Sequence, residues 1–80
     1  MEKVEKQLRK MPLHDRNRIL AVMEQIIRRD FTGLDRKQLK TFRHIFRVRV
    51  GNYRIIFFDD GKEIEFESVK RRNESTYHDL

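Results

Sequence analysis

The chain of 80 residues contains no cysteine and no tryptophan. The absence of cysteine excludes a disulfide framework and a thiolate metal site. The histidines, at positions 14, 44 and 78, lack a close metal-ligand spacing. No apolar run approaches the length of a membrane span and no signal-peptide pattern is present, so we expect a cytoplasmic protein.

Proline and glycine are also scarce, with one proline and three glycines. Pro12 separates two helical patterns and Gly33 follows the second, whereas Gly51 and Gly61 lie between strand-like runs. We therefore expect a single domain over residues 1–80. A domain of this size buries only about 60–65% of its unfolded surface, so its stability is expected to be marginal without a partner.

Acidic residues are outnumbered, with 13 Asp and Glu against 19 Lys and Arg, which gives a net charge of +6 and a pI near 10.1. This balance favours nucleic acid or an acidic protein as a partner. The charge is also localised. Between Arg43 and Arg54 there are four arginines and no acidic residue, whereas acidic residues are frequent between Asp59 and Glu67.

Two amphipathic helices are predicted in the first third of the chain. The first covers residues 1–11. The second begins after Pro12, which fits a first helical turn because its missing N–H is no loss there, and ends near Arg29 or Asp30. The apolar positions are Val4, Leu8 and Met11 in the first helix and Ile19, Leu20, Met23, Ile26 and Ile27 in the second.

Residues 46–58, FRVRVGNYRIIFF, predict two strands folded back around Gly51-Asn52, and a two-residue loop fixes their register unless a bulge intervenes. The predicted pairs are Val50–Tyr53, Arg49–Arg54, Val48–Ile55, Arg47–Ile56 and Phe46–Phe57. The side chains expected to face the core are Phe46, Val48, Val50, Tyr53, Ile55 and Phe57. The opposite face carries Arg47, Arg49 and Arg54, and we call it the arginine face.

Arg49 and Arg54 are predicted to lie directly opposite each other on this face. Like charges across a strand pair repel, so an anion is needed nearby. A carboxylate of the chain would meet that need, and so would a phosphate that arrives with a ligand. The sequence leaves both alternatives open.

A second tight turn is predicted at Asp60-Gly61. The predicted pairs are Asp59–Lys62, Phe57–Ile64, Ile55–Phe66 and Arg54–Glu67. This register assigns to the core Ile64 and Phe66, and to the arginine face Glu63, Glu65, Glu67, Val69 and Arg71. Glu67 is then the carboxylate partner of Arg54, and Arg71 extends the row of Arg49 and Arg54 across a third strand.

The predicted fold class is therefore α+β. An N-terminal αα-hairpin packs on a three-stranded antiparallel meander and leaves the arginine face open. Residues 31–44 are polar and predict an irregular connection, anchored by Leu34, Leu39 and Phe42.

Four segments of the chain, KQLRKMP, an L-x4-L connection, FRVRVGNYRIIF and VKRRNESTY, resemble the RelE/ParE toxin superfamily. The similarity is greatest to the RelE-type ribosome-dependent mRNA interferases and runs from about residue 3 to the end. It implies the toxin component of a type II toxin–antitoxin system. Such a toxin is an endoribonuclease that cuts mRNA in the ribosomal A site by attack of the ribose 2′-OH on the phosphodiester, with no metal or cofactor.

The resemblance also implies the residues of the site. The catalytic set would be Arg47, Arg49, Arg54, Arg71 and Tyr77, and further RNA contacts would come from Arg43, Lys70 and Arg72. In that family the first two positions orient the RNA and the attacking hydroxyl, and the third stabilises the phosphorane. The fourth lies near the leaving 5′-oxygen, and the tyrosine stacks on or orients a base. Arginine is a poor general base because it is essentially never deprotonated, so the base stays unassigned.

The partners implied are an acidic, partly disordered antitoxin, the ribosome and mRNA. Family members usually begin with a strand ahead of the first helix, and this chain begins in the region that matches the helix. A missing strand would expose a sheet edge to dimerisation or docking. A non-catalytic or weakened RelE-like module that binds RNA or antitoxin is one alternative. A ParE-like inhibitor of DNA gyrase is another.

Overall fold

The computed structural model describes residues 2–71 as two helices followed by four strands. They are α1 (Glu2–Arg9), α2 (Leu13–Ile27), β1 (Asp35–Gln38), β2 (Ile45–Val50), β3 (Tyr53–Asp59) and β4 (Ile64–Arg71). The strands form one antiparallel sheet in the order β1-β2-β3-β4, and the helices cover one face of it. The predicted α+β class is confirmed. None of the described helices is long and apolar enough to cross a membrane.

Helix α1 packs along β4, the edge strand at one side of the sheet. Its Val4 and Leu8 are buried, as their spacing predicts. The side chain of Gln7 reaches the outer edge of the strand, where its Oε1 accepts a hydrogen bond of 2.7 Å from the N–H of Val69. In the described chain no strand precedes α1. The helix therefore takes up part of the backbone hydrogen-bonding capacity of the β4 edge.

Helix α2 buries Ile19, Met23 and Ile26 against the sheet. The predicted stripe is wrong for its two other members, since Leu20 and Ile27 are 43% and 61% exposed. With Leu13, which is 63% exposed, they stand at seven-residue intervals. At 3.6 residues per turn, that spacing places all three on one line along the helix, away from the core.

The C-terminus of α2 lies at Ile27, two residues before the earlier of the predicted ends. Arg29 adopts a left-handed conformation with a φ of 58°. Its N–H and that of Asp30 close the last turn with hydrogen bonds of 2.9 and 3.0 Å, in a Schellman arrangement. A residue with a Cβ is strained at such a φ. The guanidinium of Arg29, however, pairs with the buried carboxylate of Asp59 at 2.7 Å, which offsets that strain.

Strand β1 lies where an irregular connection was predicted, so the three-stranded meander is extended to four strands. Its sequence, DRKQ, contains no apolar residue and all four positions are exposed. A fully exposed edge strand gives no alternating hydrophobic signal, and short charged edges discourage pairing with other chains. Of the three predicted anchors, Leu34 packs partly buried against the core and Leu39 is half-buried. Phe42 is 39% exposed, so its prediction is wrong.

The β2–β3 hairpin has the predicted register, from Val50↔Tyr53 to Phe46↔Phe57. Gly51 has a φ of 58°, which suits glycine in a tight turn. The predicted core face is confirmed. Phe57 is fully buried at its centre, with the rings of Phe46 and Phe66 at centroid distances of 5.7 and 6.3 Å.

The β3–β4 hairpin has a different register from the predicted one. The observed pairs are Asp59↔Ile64, Phe58↔Glu65, Phe57↔Phe66, Ile56↔Ser68, Ile55↔Val69, Arg54↔Lys70 and Tyr53↔Arg71. The turn contains four residues instead of two, and Glu67 is an extra residue at a bulge. A bulge lets side chains three positions apart share a face, and Phe66 and Val69 are both buried in the core. The predicted assignments of Val69 and Arg71 to the arginine face are therefore wrong.

Candidate functional site

The arginine face gathers cations from all four strands near the β2–β3 turn. Strand pairing brings together Lys37, Arg47, Arg49, Arg54 and Lys70, and with them the carboxylate of Asp35. Directly opposed residues of antiparallel strands share a face, so this grouping follows from the register. Among residues 2–71, strand pairing thus groups five cations with one carboxylate, which gives this end of the face an excess of positive charge.

Asp35 lies on β1 directly opposite Arg49 and serves two arginines. Its Oδ2 lies 3.6 Å from Arg47 Nη1 and 3.9 Å from Arg49 Nη1. The same Nη1 of Arg47 lies 3.4 Å from the backbone carbonyl oxygen of Asp35, a long hydrogen bond. Of the two anions that the sequence left open, a carboxylate of the chain is therefore present. It comes from the strand that was not predicted.

The middle of the arginine face is less open than predicted. Arg47 is 9% exposed, and Ile56 and Ser68 are 5% and 6% exposed. Long charged side chains often lie along apolar surface while the charged group reaches a polar partner, as Arg47 does here. Arg49, nearer the turn, keeps 41% of its side chain exposed. A ligand therefore meets the exposed turn end of the face first.

A row of three cations crosses this exposed end. Arg54 on β3 faces Arg49 on β2 and Lys70 on β4. The predicted pairing of Arg54 with Glu67 is wrong, because the four-residue turn moves the register of β4 by two residues and the bulge moves it by one more. We call Arg49, Arg54 and Lys70 the cationic row. Like charges on adjacent strands repel, so the row favours the approach of an anion.

Arg71 does not belong to this row. It pairs with Tyr53, whose side chain faces the core, so it lies on the helix side of the sheet. Two recesses between the helices and the sheet are lined by Arg71 and Tyr53 together, one beside α1 and one beside α2. The predicted row of Arg49, Arg54 and Arg71 is therefore wrong, with Lys70 in the third position.

Tyr53 also ties the sheet to α2. Its hydroxyl donates a hydrogen bond of 2.9 Å to Asp15 Oδ2. This hydrogen bond, burial and the negative charge of Asp15 raise the pKa of Tyr53, while the charge of Arg71 acts in the opposite direction. The neutral phenol is thus stabilised at the junction of helix and sheet.

The other predicted site residues lie apart from the cationic row or outside the description. Arg43 is exposed in the loop between β1 and β2, where its carbonyl oxygen accepts a hydrogen bond from the side-chain amide of Gln38. Arg72 and Tyr77 lie outside the described residues. Sequence reasoning missed Asp35 and Lys37 because both belong to β1, for which the pattern of apolar residues gave no signal.

Comparison with known proteins identifies relatives of this chain, although no family model matches it. Toxin RelE3 of Methanocaldococcus jannaschii is 36% identical over 70 residues, which cover 84% of this chain and 80% of that protein. A chain in the crystal structure of the RelB–RelE antitoxin–toxin complex from Methanococcus jannaschii superposes with a TM-score of 0.82 at 32% identity. That match covers 100% of this chain and 95% of the other. The resemblance seen in the sequence is confirmed, and the chain belongs to the RelE toxin family.

Proposed function

We propose that this protein is the toxin of a type II toxin–antitoxin system and acts in the cytoplasm as a ribosome-dependent endoribonuclease. The observation that carries the proposal is the cationic row of Arg49, Arg54 and Lys70, with Arg47 beside it on the same face. Guanidinium groups fork onto phosphate oxygens, and a cluster of them stabilises the charge that develops on a pentacoordinate phosphorus.

The proposed reaction is an internal transfer at one phosphodiester of mRNA. The ribose 2′-oxygen attacks the adjacent phosphorus, the bond from phosphorus to the 5′-oxygen breaks, and the products are a 2′,3′-cyclic phosphate and a 5′-hydroxyl. The proton of the 2′-hydroxyl leaves and another is delivered to the 5′-oxygen. No redox change or co-reactant is needed, so orientation and charge stabilisation can carry the rate.

Arg47 and Arg49 would orient the phosphate and the attacking hydroxyl, and Arg54, at the centre of the row, would stabilise the phosphorane. Asp35 holds the first two arginines in position before RNA arrives. Such pre-organisation reduces the entropy lost on binding, although the phosphate then competes with the carboxylate for the same guanidinium groups.

Arginine cannot readily accept the proton of the 2′-hydroxyl, because a guanidinium group is essentially never deprotonated in a protein. In this proposal water or ribosomal RNA accepts that proton. Family resemblance assigns Arg71 to the leaving 5′-oxygen and Tyr77 to a base of the RNA. Arg71 lies at the end of β4 beside the β2–β3 turn, so RNA reaches it by passing around that end of the sheet.

An antitoxin is the proposed protein partner. A known structure that this chain resembles is that of an antitoxin–toxin complex. An acidic, partly disordered chain suits the net charge of +6, because it can wrap a basic surface and order on binding. The exposed apolar line of Leu13, Leu20 and Ile27 on α2 offers it a second kind of contact.

The experiment that tests the catalytic proposal is primer extension on an mRNA translated in a cell-free extract. The variants are Arg54→Ala and, as a matched control, Arg28→Ala. The control removes an exposed arginine that caps the C-terminus of α2 and pairs with Glu24 at 3.5 Å. We expect cuts at ribosome positions with wild type and Arg28→Ala. With Arg54→Ala we expect a loss of at least a hundredfold, the usual scale for one transition-state donor.

Arg71→Ala and Tyr77→Ala extend the same assay to the residues assigned by resemblance alone. Cuts that persist at full rate in Arg54→Ala would contradict the mechanism. Folded wild-type protein that binds ribosomes without cutting would favour a non-catalytic relative, an alternative that the burial of Arg47 and its pairing with Asp35 also favour.

A further inference from the structure

Two recesses lie side by side where the helices meet the turn end of the sheet. The larger, of about 300 Å³, lies beside α1 and is lined in part by Lys10. The smaller, of about 120 Å³, lies beside α2 and is lined in part by Arg18 and the backbone of the β2–β3 turn. Arg71 and Tyr53 line both and therefore form their common wall. We call Lys10, Arg18 and Arg71 the seam cations.

The guanidinium group of Arg18 lies close to the turn. Its Nη1 atom stands 2.7 Å from the position that a Cβ on Gly51 would occupy. The guanidinium can approach the backbone so closely only because residue 51 is glycine. Gly51 is therefore suited to two requirements at once, the positive φ of the turn and the space for Arg18.

The seam cations differ from the arginine face in their local balance of charge. Among residues 2–71, the ion pairs engage other cations, and none joins a seam cation to a carboxylate within 4.0 Å. The carboxylate that lines the smaller recess is Asp15, and its Oδ2 accepts the Tyr53 hydroxyl. Arg47 and Arg49, by contrast, share Asp35. An anion that approaches a seam cation therefore has no ion pair with a carboxylate of residues 2–71 to displace.

We infer that the seam cations bind a backbone phosphate of RNA next to the one held on the arginine face. Continuity favours RNA over an acidic protein segment. Arg54 and Tyr53 are adjacent in β3 and point to opposite faces, so one polyanion that rounds the Gly51-Asn52 turn meets the cationic row and then the seam. The inference rests on the proposed function, since it extends the contact of the same RNA strand from the cationic row to the seam cations.

The test measures binding of a short, 5′-labelled 2′-O-methyl RNA, which lacks the attacking hydroxyl and is not cleaved. Fluorescence anisotropy across a salt series compares wild type with Arg18→Ala, Arg18→Lys and Arg49→Ala. Arg28→Ala is again the matched control, because it removes an exposed arginine that caps the C-terminus of the same helix and lines neither recess. Arg18 is exposed, so its removal is not expected to unfold the chain.

For Arg18→Ala we expect binding to weaken about threefold to fivefold at low salt, and the slope of log K against log[salt] to decrease by about 0.7, as for one lost contact to single-stranded RNA. Arg18→Lys should restore most of the slope. Arg28→Ala should match wild type. This pattern would support a phosphate at the seam.

Other outcomes would overturn the inference in distinguishable ways. If Arg49→Ala lowers the slope and Arg18→Ala behaves like Arg28→Ala, the seam carries no RNA and the proposed function stands. If wild type shows no salt-dependent RNA binding, the inference fails, and primer extension in the translating extract decides the proposed function separately. If Arg18→Ala weakens binding of a hexaglutamate peptide but not of RNA, the seam is a site for an acidic protein.

Discussion

The β2–β3 and β3–β4 hairpins share a strand but are closed by turns of different length. In the first, Gly51-Asn52 is the whole loop, and the pair Val50↔Tyr53 follows directly. In the second, Asp59 pairs with Ile64 across four residues. The sequence DDG predicts a two-residue turn. In the structure, however, the carboxylates of Asp59 and Asp60 both accept hydrogen bonds from backbone N–H groups of a longer turn.

The difference shows what a turn sequence can and cannot determine. A glycine with positive φ fits several loop lengths, and side chains that accept N–H groups can favour the longer one. The register of the second hairpin is determined instead by burial. Phe66 and Val69 both face the core although they are three positions apart, and only a bulge permits that in a strand.

The largest effect is expected on deletion of Arg49 from the regular hairpin. With the turn held, β2 would slip by one residue, so Val48 would move to the arginine face and Arg47 to the core. Burial of an arginine without a partner, together with the lost apolar contacts, should cost well over 3 kcal/mol and abolish folding. Far-UV circular dichroism and urea unfolding check this. A cooperative transition near that of wild type would contradict the fixed register.

The next largest effect is expected for Asp59→Asn at the base of the longer turn. This change weakens the 2.7 Å pair with Arg29 and the hydrogen bond from the Gly61 N–H, and should cost about 2 kcal/mol of unfolding free energy. Burial alone would raise the pKa of Asp59, but the hydrogen bonds from Arg29 and Gly61 outweigh it, so the pKa is lowered.

This pKa shift determines the sign of the pH dependence. The contribution of Asp59 is present above the unfolded-state pKa of about 3.9 and is lost as pH falls through the lower folded-state value. Urea unfolding between pH 7 and pH 3 should therefore show a smaller loss of stability in Asp59→Asn than in wild type. Equal losses in the two proteins would contradict the role of Asp59. Glu63→Gln, which removes an exposed carboxylate from the same turn, is the control.

A smaller effect is expected for Tyr53→Phe beside the two-residue turn. Loss of the 2.9 Å hydrogen bond to Asp15 should cost about 1 kcal/mol. Because the pKa of Tyr53 is raised, its contribution is fully present below about pH 10 and is lost as pH rises through the folded-state value. In a Tyr77→Phe background, only Tyr53 contributes to the tyrosinate absorbance. Titration of Tyr53 at the ordinary pKa of a tyrosine would show that its hydrogen bond to Asp15 is absent.

The smallest effect is expected on deletion of Glu67. Its removal turns the bulge into a regular ladder in which Phe57↔Phe66 and Ile56↔Ser68 become successive pairs. We expect the unfolding free energy to change by less than about 1 kcal/mol, in contrast to the deletion of Arg49. Cross-strand nuclear Overhauser effects between Tyr53 and Arg71 should persist. Loss of those contacts would show that the bulge is required for the register.

Much of this fold could be predicted from patterns that burial imposes on the sequence. Alternation with a two-residue loop gave the β2–β3 register, and hence the meeting of Arg47, Arg49 and Arg54 on one face. Strand β1 could not be predicted, because a strand exposed on all four residues leaves no such pattern. Asp35 was missed with the strand, and therefore so was the carboxylate that pairs with Arg47 and Arg49 on the arginine face.

The prediction that Arg71 is the third member of the row was wrong for a related reason. A single extra residue in β4 reverses the face of every residue after it, so Lys70 replaces Arg71. The spacing of Phe66 and Val69 was the signal available in the sequence. Two apolar residues three apart in a strand suggest a bulge if both are assumed to be buried.

Two side-chain contacts described above act as a length standard for the whole domain. Asp15 meets Tyr53 at the first residue of β3, and Arg29 meets Asp59 at the last. From position 15 to Ile27, where α2 ends, the helical rise covers about 18 Å. From position 53 to position 59, an extended strand covers about 20 Å. The helix and the strand are thus similar in length and joined near both ends by these contacts. A residue inserted into or deleted from only one of them would displace one contact. The strand that carries Arg54 is thereby prevented from sliding beneath its helix.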